Sequence, residues 1–130
     1  MKRLVFDIDG TLTKHKCASY ADATPRADVV ERLRQYKADG FEIALYTSRN
    51  MRTHNCSVGK IAAKTLPIIL EWLDKNSIPY DEIHVGKPWC GTKGFYVDDR
   101  AIRPSEFLKM DRRELNQMLD NEVVLEGGGA

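Results

Sequence analysis

Four short apolar runs, Leu4-Val5-Phe6, Phe41-Glu42-Ile43-Ala44-Leu45-Tyr46, Ile83-His84-Val85 and Phe95-Tyr96-Val97, each break off into residues that carry reactive groups. Runs this short and this apolar suit strands buried on both faces. Helical stretches separate them. Thr24-Pro25 reads as the cap of a helix that presents Val29, Val30 and Leu33 on one face and stops at Gly40. Gly59 to Asn76 reads as helix, with Ile61, Leu66, Ile69, Leu70 and Leu73 apolar and Pro67 splitting it in two. Asp111 with Glu114 starts a last helix running to about Asp120, and Val123-Val124-Leu125 is read as an edge strand. Alternation of this kind predicts an α/β fold, a doubly wound, Rossmann-like parallel sheet with helices on both faces. The length of 130 residues is enough for one core, so a single domain over 1–126 is expected, with 127–130 as a flexible tail.

In such sheets ligands bind just beyond the carboxyl ends of the strands. The residues there are Asp7, Thr47, Lys87 and Asp98, with Asp9, Ser48, Arg49, Asp99 and Arg100 close behind. A carboxylate buried without a partner is costly, so the acids of LVFDIDGTLT must face a shared polar crevice and meet something cationic. Hard oxygen ligands of this kind suit Mg²⁺, with water in the remaining positions. Magnesium beside Lys87 and Thr47 would also hold a phosphoryl group, whose oxygens need neutralising while phosphorus is attacked. One carboxylate can then act as nucleophile through an aspartyl-phosphate, and a second two residues on can protonate the leaving alcohol. Gly10 lets the backbone turn tightly between them and Thr11.

DIDGT after the first strand, TSR after the second, GK before Pro88 and VDD after the fourth resemble, in order, the four motifs of the haloacid dehalogenase superfamily of phosphohydrolases. The resemblance spans Lys2 to about Phe107. It implies Asp7 as nucleophile, Asp9 as general acid and base, Thr47 on the phosphoryl oxygens, and Lys87 steadying nucleophile and phosphate. It implies a metal site of Asp7, the Asp9 backbone carbonyl, Asp98 and Asp99. SRNMRTHN, VGKIAAKTLPIILEWL, VGKPWCG and FYVDDRAIRPSEF further resemble small bacterial capsule-biosynthesis phosphatases of that superfamily. The intervals from Thr11 to Thr24 and from Ser48 to Gly86 leave no room for a cap domain, so the chain resembles the capless class. A short flap over Leu12 to Ala23, or a second copy of the chain in a homo-oligomer, is the expected cover.

Plainer readings stand beside these. A lone Asp-x-Asp-Gly is commonly a turn, and the ordered set of four motifs is what favours catalysis. Thr47 and Ser48 could satisfy backbone groups at a strand end, and Asp99 with Arg100 could form a surface ion pair. Arg49, Arg52, His54, Lys60 and Lys64 make a basic stretch that is either solvated or placed to grip a substrate anion. Within it Arg49 and Lys60 are the candidates for substrate contact, together with Gly10, Thr11 and Ser48. Trp89 either lines the site or packs a loop base, and Cys90 reads as structural. Cys17, Cys56 and Cys90 form no CxxC pair, so reduced thiols are expected. His15, His54 and His84 lack zinc-ligand spacing.

A formal net charge of +1 gives no general pull toward nucleic acid or anionic membrane. Apolar runs far below spanning length and an N-terminus interrupted by Asp7 and Asp9 lead to the expectation of a cytoplasmic protein. The sequence reading is a Mg²⁺-dependent phosphomonoesterase acting on a phosphorylated sugar, polyol or related precursor of a surface polysaccharide. A phosphatase for nucleotides or polynucleotide ends, and a non-catalytic phosphate-binding or assembly module, are the rival readings.

Overall fold

The computed structural model describes residues 2–14 and 19–128, with side chains to residue 123. His15 and Cys17, the middle of the expected flap and the last two tail residues lie outside them. The chain forms two compact units, Met1–Trp89 and Cys90–Ala130.

The first unit is built on three parallel strands, β1 (Arg3–Asp7), β2 (Glu42–Thr47) and β3 (Glu82–Val85), in spatial order β1-β2-β3. Helix α1 (Ala27–Ala38) connects β1 to β2, and α2 (Val58–Lys64) with α3 (Leu66–Lys75) connects β2 to β3. The α/β class and the parallel sheet are as the sequence predicts. β2 is the central strand, and Ile43, Ala44 and Leu45 on its two faces are all buried. β1 lies at an edge. There Phe6 is buried and Val5, on the opposite face, is 61% exposed.

Local chemistry sets the element boundaries. Pro25 does not open α1; it forms an antiparallel bridge with Thr13, and Arg26 takes the N-cap position. Pro67 does split the second helical segment, lying in the first turn of α3 where its missing N–H is not needed. Val29, Val30, Leu33 and Tyr36 of α1 and Ile69, Trp72 and Leu73 of α3 are buried. Arg34 of α1 donates to the carbonyls of Asn76 and Ser77 just past α3. The Asp81 carboxylate accepts from the Ile43 amide at 2.8 Å and from Lys37 Nζ at 2.7 Å. The amide bond first, and Lys37 second, hold its carboxyl below the usual range.

In the second unit, α4 (Pro104–Lys109) and α5 (Arg112–Gly128) bury Phe107 and Leu115. The Asp111–Glu114 capping box forms as predicted, with the Asp111 amide donating to Glu114 and the Glu114 amide to Asp111. Two expected strands are not strands. Phe95-Tyr96-Val97 is irregular and exposed, because its own unit has no described strand for it to pair with. Val123-Val124-Leu125 continues α5, where each amide finds its acceptor four residues back without a partner strand. Gly127 and Gly128 are the last residues of that helix. The sequence reading missed α4.

Trp72, 2% exposed, donates its indole N–H to the Ala23 carbonyl at 2.8 Å, pinning the end of the arm that follows the first motif. Trp72→Phe leaves that carbonyl unpaired and opens a void. A loss of about 1–3 kcal/mol is expected, read as a lower urea midpoint with an unchanged slope.

Candidate active site

Parallel pairing sets Asp7 opposite Tyr46 and Thr47 opposite Val85, so β1 and β2 end at one edge and Gly86-Lys87 follows β3 there. The chain leaves β1 in a tight turn. The Ile8 carbonyl accepts from the amides of Thr11, Leu12 and Thr13, and the Gly10 amide donates to Thr13 Oγ1. Gly10 has φ +81°, a left-handed conformation that glycine adopts at little cost. Ile8 and Leu12 are fully buried, which anchors the turn and leaves Asp7 and Asp9 half-buried at the edge. Gly86 has φ +91°, and a Cβ there would lie 2.9 Å from Val58 Cγ2, so glycine is required on two counts just before Lys87.

Asp7 Oδ1 accepts from Lys87 Nζ at 3.4 Å, and Oδ2 accepts from Thr11 Oγ1 at 3.2 Å. Lys87 lies over the Tyr46 ring, 4.9 Å from its centroid, and its amide donates to the Thr47 carbonyl. Burial raises the Asp7 pKa above its ordinary 3.8, with Lys87 pulling the other way and the neighbouring Asp9 charge adding to the rise.

Asp9 has a different set of partners. Arg49 grips it with a guanidinium fork, Nε to Oδ2 at 3.2 Å and Nη2 to Oδ1 at 2.7 Å. Thr47 Oγ1 donates to Oδ2 at 3.3 Å and accepts from the Arg49 amide at 2.9 Å. Arg49 is 3% exposed and lies against Tyr20, with Cζ 4.1 Å from the ring centroid.

The first unit thus brings together Asp7, Asp9, Gly10, Thr11, Thr47, Arg49 and Lys87. Ser48 is half-buried, its carbonyl accepting from Met51. Lys60 is exposed in the first turn of α2. Asp98 and Asp99 belong to the second unit, in exposed irregular chain, where Asp98 Oδ1 accepts from the Arg100 amide. Trp89 is 52% exposed, and Cys56 and Cys90 are free thiols. Sequence reasoning missed Tyr20, a single aromatic in a polar arm with no periodic signal, and the use of the Arg49 fork on Asp9.

Among the described residues no three His, Cys, Asp or Glu side chains gather as a metal site. Magnesium asks less than that, commonly one or two carboxylates with waters. Asp7 fits it: a half-buried oxygen donor at the strand edge whose lysine partner stands off at 3.4 Å. The arrangement supplies a carboxylate facing a lysine, a second carboxylate held apart from it by an arginine and a threonine, and so two acids and two cations at one strand edge.

A family model described as PITM 1-3, LNS2 domain matches residues 4–87, a span that runs from β1 to Lys87 and takes in every residue just gathered. The crystal structure of an MCSG target from Vibrio cholerae is similar to this chain, with 57% sequence identity and a TM-score of 0.91, covering 94% of this chain and 99% of that one. No curated protein matches the chain significantly.

A carboxyl with a raised folded-state pKa favours the folded state most when protonated, and that contribution is lost as pH rises from 3.8 through the raised value. Asp7→Asn, which is permanently neutral, should therefore melt above the wild type at neutral pH without metal. The gap should close as pH falls toward 3.8. Added Mg²⁺ should raise the wild-type melting temperature more than that of the variant.

Proposed function

Because the chain belongs to the LNS2 domain family, a haloacid dehalogenase-like phosphatase fold with phosphatase-type hydrolase activity, we propose that it is a magnesium-dependent phosphomonoesterase working through an aspartyl-phosphate. The observation that carries this is the division of the two acids: Asp7 faces Lys87, while Asp9 is held by Arg49 and Thr47. A module that only bound phosphate would have no use for a second carboxylate beside a nucleophile.

In the first half-reaction an Asp7 carboxylate oxygen attacks phosphorus, the ester P–O bond breaks, and the leaving oxygen takes a proton from Asp9. In the second, Asp9 takes a proton from water, whose oxygen attacks the phosphoryl group. The Asp7–phosphorus bond then breaks and releases inorganic phosphate. Lys87 and the Thr11 hydroxyl orient Asp7 for both halves. In this reading Thr47 and the Gly10–Thr11 turn lie at the phosphoryl position, Ser48 and Lys60 toward the leaving group, and Arg49 behind Asp9.

Members of this fold family are generally Mg²⁺-dependent. Asp7 and the Asp9 backbone carbonyl would hold the ion here, and the sequence motif adds Asp98 and Asp99. Bound there, the ion would neutralise phosphoryl oxygen charge. A doubly wound sheet with helices on both faces, a cytoplasmic location and cover by a second copy of the chain belong to the same reading. So does a phosphorylated sugar, polyol or related surface-polysaccharide precursor as substrate, which rests on the capsule-type sequence resemblance. Among the described residues no helix is long and apolar enough to cross a membrane.

Hydrolysis of an aryl phosphate should vanish on chelation and return with Mg²⁺. Asp7→Asn should abolish both turnover and acid-stable trapping of phosphate on the protein, a loss of several orders of magnitude. Near-wild-type turnover by Asp7→Asn, with deamidation excluded by mass spectrometry, would refute the covalent route. A panel of phosphorylated sugars, polyols and nucleotides, compared by kcat/KM, would separate the substrate classes.

A further inference from the structure

The Arg49 side chain is 1% exposed and the Asp9 side chain that it grips is 38% exposed. Folding alone gives little reason for a guanidinium at this place. Its Nη1 is buried with no hydrogen-bond partner among the described residues, an uncompensated loss of hydration. A buried charge is also more costly than an apolar side chain of similar volume.

The guanidinium acts on Asp9 in two ways. Its fork engages both carboxylate oxygens, and the flat cation is covered by the Tyr20 ring from the arm after the first motif. The Arg49 backbone amide also donates to Thr47 Oγ1, which leaves the Thr47 hydroxyl proton to point at Asp9 Oδ2. A carboxylate offers about four lone-pair positions. Arg49 Nε and Thr47 together occupy Oδ2, and Arg49 Nη2 takes one position on Oδ1. The position left open is on Oδ1. All three donor groups come from side chains that are nearly or fully buried, so Asp9 is held from behind and its remaining side is turned outward.

We infer that Arg49 is a positioning residue for proton transfer: its fork, steadied by Tyr20 and acting with Thr47, fixes Asp9 so that Oδ1 delivers the proton to the leaving oxygen. This rests on the reading of Asp9 as the proton donor. It differs from a role in gripping a distal substrate anion, because the fork is already engaged.

The test compares an alkyl phosphate, whose leaving group needs a proton, with p-nitrophenyl phosphate, whose leaving group does not. The quantity is kcat/KM, which reports on steps up to departure of the leaving group. Arg49→Lys, which keeps the charge and loses the fork, and Arg49→Ala should each lower the alkyl value by about a hundredfold or more and the aryl value by less than about tenfold. In an Asp9→Asn background, Arg49→Lys should add no further alkyl loss. The Arg49 Nε–H resonance, shielded by burial and by Asp9, should shift and exchange faster in Asp9→Asn. Thermal melts establish that each variant is folded; should Arg49→Ala fail to fold, Arg49→Lys carries the comparison. Equal losses on the two substrates, a gain on the alkyl phosphate, or additive losses in the double variant would overturn the inference. An Asp9→Asn protein with an unchanged alkyl-to-aryl ratio would refute the proton-donor reading itself, and the role of Arg49 with it.

Discussion

Two carboxylates separated by one residue repel each other, and the raised pKa of Asp7 includes a contribution from Asp9. The fold answers with two cations from two different strand ends, Lys87 after β3 for Asp7 and Arg49 after β2 for Asp9. Neither comes from the residues directly beside the acids, Phe6, Ile8 and Gly10, none of which carries a charge. The parallel order of the strands is therefore an electrostatic requirement as well as a packing one. It brings chain segments about forty and eighty residues away to the same edge.

The compensation is unequal, and the inequality has chemical meaning. Asp9 receives a short two-point grip and a hydroxyl, whereas Asp7 receives one long contact and one hydroxyl. A tightly solvated carboxylate is a poor nucleophile, and a loosely held one is reactive but costly to keep. The two acids therefore sit in different surroundings although a single residue separates them.

The strands of the first unit were legible because burial on both faces leaves a continuous apolar run, and Pro67 marked a helix start because its ring suits only a first turn. The strand exits followed from that pattern, so Asp7, Thr47 and Lys87 could be named without coordinates. Phe95-Tyr96-Val97 carries the same apolar pattern and forms no strand. Three apolar residues record a tendency to be buried, but strand formation depends on a neighbour that the run itself does not encode. Val123-Val124-Leu125 fails for the opposite reason, since a helix already under way satisfies its backbone locally. The engagement of Arg49 with Asp9 was hidden because it joins residues forty positions apart by side-chain reach, and nothing in a basic stretch tells which cation turns inward.

Asp81 sits at the start of β3, bonded to the Ile43 amide while its own amide donates to the Ile43 carbonyl. It acts as a fixed datum from which the reach of Lys87 is measured along the strand. Because side chains alternate with every residue, adding or removing one position between Asp81 and Gly86 would turn Ile83 and Val85 outward and displace the lysine from its acid. The same change in the turn before Asp81 would be taken up without disturbing that measure. Length variation among relatives of this chain should accordingly collect ahead of Asp81 and avoid the short span behind it.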